Sequence, residues 1–311
     1  MSIELRSPVA LALVLAPLVV FAACGDDRSA APPPPAPRIT DPVALFRARC
    51  ASCHAEDGSG TGPAAASLQP QPRDFRTGMI KFASVASGSL PRDEDYARII
   101  RRGLPGTAMP ASEDLDDAQV RGLIGRIKSF SPRWASETAG DAVALSPDPF
   151  TGRAAEAVTE GRTVYHAVAR CYACHASYVS ATELRDLELA AHVEPGEAYR
   201  ERFWQPLPQQ DEWGHVLPPP EFTRSRLRSG SELPDLVRTL SCGVGGTPMP
   251  AWKDVLADRQ IWALAHYVKS LTEMDAAAAT DLIHRLESSV GVQATNQVAP
   301  SSAPPTTRRG S

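Results

Sequence analysis

The chain has 311 residues, 32 of them basic and 36 acidic, for a formal net charge of −4. That length accommodates two domains, and the charge balance gives no ground for a nucleic-acid partner. Only four lysines are present (Lys81, Lys128, Lys253, Lys269), too few for a lysine-ringed docking face, so any basic patch is built from arginine.

In chain order, residues 9–23, VALALVLAPLVVFAA, come first. They are an apolar run of signal-peptide length, too short for a membrane span. The run ends in FAAC, where small residues before a cysteine resemble a bacterial lipobox. Residues 1–23 are then a signal peptide, and Cys24 is the first residue of the mature chain and carries lipid. A cleaved secretory signal and an uncleaved anchor are the other readings, and all three export the domains across the membrane. Residues 24–39 make a lipid-anchor and proline-rich linker, since PPPP favours an extended polyproline II spacer.

ARCASCHAEDGSG at 48–60 sets Cys50, Cys53 and His54 into five positions. Two thiols one helical turn apart suit two thioether bonds to the vinyl groups of one haem, and the adjacent histidine meets the iron. Cys-x-x-Cys-His is therefore a c-type haem attachment site. A zinc site would need a second ligand pair close by, and a thioredoxin-like site a βαβ pattern; neither is present. GLPGTAMPA at 103–111 places Met109 among glycines and prolines, an irregular fixed loop rather than a helical core position. Thioether sulfur suits ferrous iron as a sixth ligand. DDAQVRGLIGRIKSF at 116–130 then has Val120, Leu123, Ile124 and Ile127 at helical spacing.

After a breaker-rich linker at 132–157 the pattern returns. ARCYACHASY at 169–178 carries Cys171, Cys174 and His175, and GVGGTPMPA at 243–251 carries Met249. DRQIWALAHYVKSL at 258–271 repeats the amphipathic helix, with Ile261, Leu264, Ala265 and Val268 on one face. SGSLPRDEDYARIIRRGLPGTAMPA (87–111) matches SGSELPDLVRTLSCGVGGTPMPA (229–251), and PRDFR (72–76) echoes PPEFTR (219–224). One order of signals repeated in full marks two copies of one domain. Residues 273–290 form one extra helix, and the polar tail at 291–311 reads as disordered.

Each half resembles a class I cytochrome c domain, and the chain resembles a di-haem cytochrome c over residues 40–272. The resemblance implies an all-α fold of two tandem class I domains, 40–131 and 158–272, each wrapped around one covalent haem c. It makes His54 and His175 proximal iron ligands, and Met109 and Met249 distal ones. The second half departs from the pattern: Met109 follows His54 by 55 residues, but Met249 follows His175 by 74. Most of the excess is an insertion at 176–221 that holds Trp204, Trp213, His192 and His215. Either histidine is an alternative to Met249, and the aromatics either shield a haem edge, dock a partner or pack. Cys242, left over from attachment and lipidation, reads as a small buried residue.

With both irons six-coordinate, the expected function is electron transfer between respiratory redox partners. These are a quinol-oxidising complex upstream and a terminal oxidase or periplasmic oxidoreductase downstream. The expected place is the periplasmic side of a bacterial envelope, with the chain lipid-anchored to a membrane. The alternative is a di-haem cytochrome c peroxidase, which needs one iron that can open. A gas sensor that displaces its methionine is a third class.

Overall fold

The computed structural model of the chain describes residues 38–196 and 199–296. The expected signal peptide, Cys24 and nearly all of the proline-rich linker lie outside the described residues, as does the tail from 297.

Helix α1 (Pro42–Arg49) begins where Asp41 accepts a 2.7 Å hydrogen bond from the Ala44 amide, with Pro42 in the first turn. Cys50 joins it to a one-turn helix, α2 (Ala51–His54). Single 3-10 turns follow at Ala65–Ser67 and Phe75–Thr77. α3 (Asp93–Arg102) has acids in its first turn and arginines in its last, both favourable to the helix dipole. α4 (Asp117–Lys128) starts at a reciprocal cap: the Gln119 amide donates to Asp116 Oδ1 at 2.8 Å, and the Asp116 amide to Gln119 Oε1 at 3.1 Å. Val120, Leu123, Ile124 and Ile127 are all buried, as their spacing predicts. They meet Leu45 and Phe46 of α1 and Tyr96 and Ile100 of α3 in one apolar cluster.

The stretch expected as a linker, 132–157, is held on both sides. Its Gly140 amide donates to the Leu90 carbonyl at 2.9 Å, and Val143 to Ser84 at 2.7 Å. On the other side Trp262 Nε1 donates to the Ser146 carbonyl at 3.0 Å. α5 (Ala154–Thr163) begins four residues before the expected domain start at 158, in an alanine-rich stretch that favours helix. It continues into a π-helical turn, Val164–Val168, closed by the Ala169 amide on the Val164 carbonyl at 2.8 Å. Within the insertion lie α6 (Ala181–Ala190), β1 (Gln209–Gln210) and β2 (Val216–Leu217). The two strands pair antiparallel, Gln209 with Leu217 and Gln210 with Val216. Apart from this short ribbon the described chain is mostly helical, in keeping with the helical expectation. The turn forms because Asp211 Oδ1 accepts from the Trp213 and His215 amides, at 3.1 and 2.9 Å.

α7 (Leu233–Cys242), α8 (Asp258–Thr272) and α9 (Ala276–Asn296) complete the described chain. α9 continues six residues into the expected disordered tail; lengthening a nucleated helix costs little per residue. α5 and α8 pack closely enough that a side chain on Gly161 would strike the Ala263 carbonyl. Tyr165, Phe222, Leu236, Ile261, Leu264, Ala265 and Val268 share the cluster beneath. A third cluster joins Val179, Leu184, Phe203 and Trp204 of the insertion to Leu286 of α9, so the last helix covers the insertion. Contacts group the described residues from Ile39 onward into one unit.

Candidate functional site

α1 and α2 place Cys50, Cys53 and His54 at one corner of the first cluster. His54 Nδ1 lies 3.0 Å from the Arg73 carbonyl oxygen. A neutral imidazole donates from Nδ1 to that carbonyl, which leaves the Nε2 lone pair for a metal. Phe75, two residues on, stacks on the imidazole with ring centroids 4.4 Å apart and planes 19° from parallel. Burial holds His54 below the ordinary histidine range, against the pull of the carbonyl, so the ring stays in its ligating form. The motif's own carbonyls are answered by a glycine-rich loop. Gly60 donates to His54 O at 3.0 Å, Gly62 to Cys53 O at 3.1 Å and Ala64 to Ser52 O at 2.9 Å. Gly60 adopts φ +78°, and a side chain on Gly62 would meet the Ala51 and Ser52 carbonyls at 2.5 Å.

The second motif is approached differently. Arg170 takes a left-handed turn at φ +49° after the π-helical turn, and Cys171–Ala173 form a 3-10 turn. Yet the histidine is held in the same way. His175 Nδ1 lies 3.2 Å from the Pro220 carbonyl oxygen, and Phe222 stacks on its ring at 4.8 Å and 17°. Burial again lowers the histidine pKa against its carbonyl partner. The motif's carbonyls are answered from the insertion. Arg200 Nη2 reaches those of His175 at 3.1 Å, Tyr172 at 3.3 Å and Phe203 at 3.4 Å, and that of Gln205. The Leu207 amide donates to Cys174 O at 2.8 Å.

The two methionine loops are copies bond for bond. In the first, Leu104 N donates to Met109 O at 3.1 Å, Thr107 N to Leu104 O at 3.1 Å and Met109 N to Thr107 Oγ1 at 3.1 Å. In the second, Val244 N donates to Met249 O at 3.2 Å, Thr247 N to Val244 O at 3.1 Å and Met249 N to Thr247 Oγ1 at 3.3 Å. Gly103 and Gly243 open the loops at φ +63° and +72°, where a side chain would collide with the backbone around each methionine. Both methionines are half-buried, and Met249 packs on the same cluster as Cys171.

These residues fit a haem at each motif. Burial pushes the thiol of Cys50 up to about 11 and that of Cys171 up to about 12. A redox-active cysteine needs the opposite shift. Among the described residues, Arg73 Nη2 and Trp252 Nε1 are buried donors without a hydrogen-bond partner. Buried donors are nearly always paired, and the carboxylates of a haem are acceptors of the right kind.

The remaining histidines lie elsewhere. His192 is exposed at φ +57°, and His215 is exposed with Nδ1 3.4 Å from Asp211. His166 is buried, with its Nδ1 on the Arg162 carbonyl at 2.9 Å, and His266 pairs with Asp148 at 2.9 Å. Cys242 is buried at the end of α7. Sequence reasoning missed the carbonyls of Arg73 and Pro220 and the rings of Phe75 and Phe222. The PRDF/PPEF echo was their signal, since it places each carbonyl two residues before each phenylalanine. Arg200 left no such signal.

A Cys-x-x-Cys-His turn whose histidine is fixed by a backbone carbonyl suits attachment of a c-type haem. Residues 37–125 match the family model described as cytochrome c oxidase, cbb3-type, subunit III. The chain thus carries a cytochrome c family domain, which implies covalently bound haem c and redox electron transfer. Its structure is similar to a chain of the Kuenenia stuttgartiensis reducing HAO-like protein complex Kustc0457/Kustc0458. The two share 28% identity with a TM-score of 0.60, over 76% of this chain and 97% of that one. No curated protein matches.

Proposed function

We propose that the chain is a di-haem c-type cytochrome that carries electrons between redox proteins on the periplasmic side of a bacterial envelope. Cys50 and Cys53 hold one haem and Cys171 and Cys174 the other, with His54 and Met109, and His175 and Met249, as axial ligands. The observation that carries this reading is the repeated histidine clamp, carbonyl on Nδ1 and phenylalanine on the ring, in a chain with two identically bonded methionine loops. Bound haem supplies a one-electron iron couple. The chain's residues fix the histidine tautomer, supply thioether sulfur that favours the ferrous state, and set each site's polarity. Matched methionine loops favour the carrier over a di-haem peroxidase, which needs a vacant iron. The exposure of His192 and His215 favours Met249 as the second sulfur.

A pyridine haemochrome assay on the full chain is expected to give two haems. Met109→His and Met249→His are each expected to lower one midpoint potential and remove part of the near-infrared methionine-to-iron band. One haem per chain, or a band that Met249→His leaves unchanged, overturns the corresponding assignment. The half-reduced protein is expected to stay low-spin when peroxide is added; a high-spin signal with repeated peroxide consumption makes it the peroxidase.

The likeness to a chain of a multi-protein redox complex supports a protein partner for the electrons, whether a quinol-oxidising complex, a terminal oxidase or a periplasmic oxidoreductase. Among the described residues no helix is long and apolar enough to cross a membrane. Attachment is assigned to lipid on Cys24: Cys24→Ser is expected to move the protein to the soluble fraction. Absence of radiolabelled palmitate from the wild-type protein overturns that assignment.

A further inference from the structure

The insertion does more than cover the second motif. Trp213, at the tip of the β1–β2 ribbon, touches both halves. On one side the Arg73 guanidinium lies over its indole, 3.8 Å from the ring centroid. Arg73 is the residue whose carbonyl holds His54, and its Nε also donates to the Met79 carbonyl at 2.8 Å. On the other side the indole fills the space beside Gly246, where any side chain would run into the ring. Gly246 lies inside the loop that ends in Met249, at φ +72°.

The bonds around this contact tie the same partners. The Glu212 amide donates to the Gly246 carbonyl at 3.1 Å, and the Gly245 amide to the Lys81 carbonyl at 2.9 Å. Buried Asp211, which shapes the ribbon turn, lies 3.6 Å from Lys81 Nζ. The ribbon therefore meets the segment at 73–81 that runs on from the Arg73 carbonyl holding His54, and it meets the second methionine loop. A planar guanidinium over an indole in a partly desolvated place is a favourable and orienting contact. Gly246 with no side chain is what lets the indole lie there.

We propose that Trp213 is a positioning residue shared by the two haem sites: through Arg73 it fixes the carbonyl that orients His54, and through Gly246 it fixes the loop that presents Met249. This rests on the di-haem reading above. Its consequence is specific, because one side chain outside both attachment motifs sets the geometry of a proximal ligand in one half and a distal ligand in the other.

The test is a spectroelectrochemical titration of the full-length, haem-loaded chain, with the haem count measured first. Trp213→Ala is expected to shift both midpoint potentials and to weaken the near-infrared band of the second site. Trp213→Phe keeps a ring under the guanidinium and is expected to restore most of the first site's potential. Gly246→Ala, which displaces the indole while keeping it in the chain, is expected to reproduce the double shift. Arg73→Lys keeps the carbonyl and the charge but loses the planar stack, and is expected to move the first site more than the second. Two haems per chain with neither or only one potential moved by Trp213→Ala and by Gly246→Ala overturns the shared role and leaves the di-haem reading standing. One haem per chain overturns both.

Discussion

The two attachment motifs are held by the same clamp but finished by different means. In the first half, loop amides at Gly60, Gly62 and Ala64 answer the motif's carbonyls. In the second, one guanidinium from the insertion, Arg200, does most of that work, helped by the Leu207 amide. A backbone carbonyl that must be paired does not specify its donor. A short glycine turn and a long insertion are interchangeable solutions, provided the carbonyl and the phenylalanine that hold the histidine stay in place. The longer solution also brings a ribbon that reaches the first half, which the short loop cannot do.

The largest expected difference between the halves is in acid. His166 is buried in the second half, its Nδ1 proton on the Arg162 carbonyl and its Nε2 accepting from the Tyr178 amide at 3.2 Å. Burial holds its pKa down to about 3. The folded state thus refuses a proton that the unfolded state takes near pH 6.5. Stability is full above that value and falls as the pH drops toward 3, by on the order of 4 kcal/mol at about 1.4 kcal/mol per pKa unit. His54 is the only histidine of the first half. Acid titration followed by hydrogen exchange is expected to open the second half first, and His166→Gln to flatten its dependence. Equal acid sensitivity in both halves would break the contrast.

Next in size is Arg200→Ala. It leaves several part-buried carbonyls short of a donor, at a cost of about 2 kcal/mol. Thermal unfolding followed at each haem is expected to show the second site loosening while the first keeps its midpoint. Gly60→Ala makes the converse change. It forces a side chain into φ +78° and within 2.7 Å of the Pro72 carbonyl, for about 2 kcal/mol, and is expected to loosen only the first site. If either substitution affects both halves equally, the two finishing devices are not separate.

The smallest effect tests what the halves share. Phe75→Leu and Phe222→Leu each remove a ring stacked on the proximal histidine, worth about 1 kcal/mol. The two are expected to shift their own haem's potential in the same direction and by similar amounts. Opposite shifts would mean that the clamp is alike in shape but not in action.

Much of the site was legible in the residues themselves. The motifs, the methionine loops and the buried faces of α4 and α8 follow from local rules: fixed spacing of ligands, Gly/Pro punctuation and a 3.6-residue period. Those rules act over a few residues and need no knowledge of the rest of the chain. The echo of PRDF in PPEF was visible too, though its purpose was not, because a carbonyl acceptor leaves no mark on residue identity. The insertion was read only as an interruption. Its ribbon, the guanidinium of Arg200 under the second motif and the indole of Trp213 between the halves depend on contacts across tens of residues. Sequence alone supplied the candidate ligands of each half. Tertiary packing decided which donors complete each site and which side chain joins them, because pairing a buried group depends on what the fold brings within about 3 Å of it.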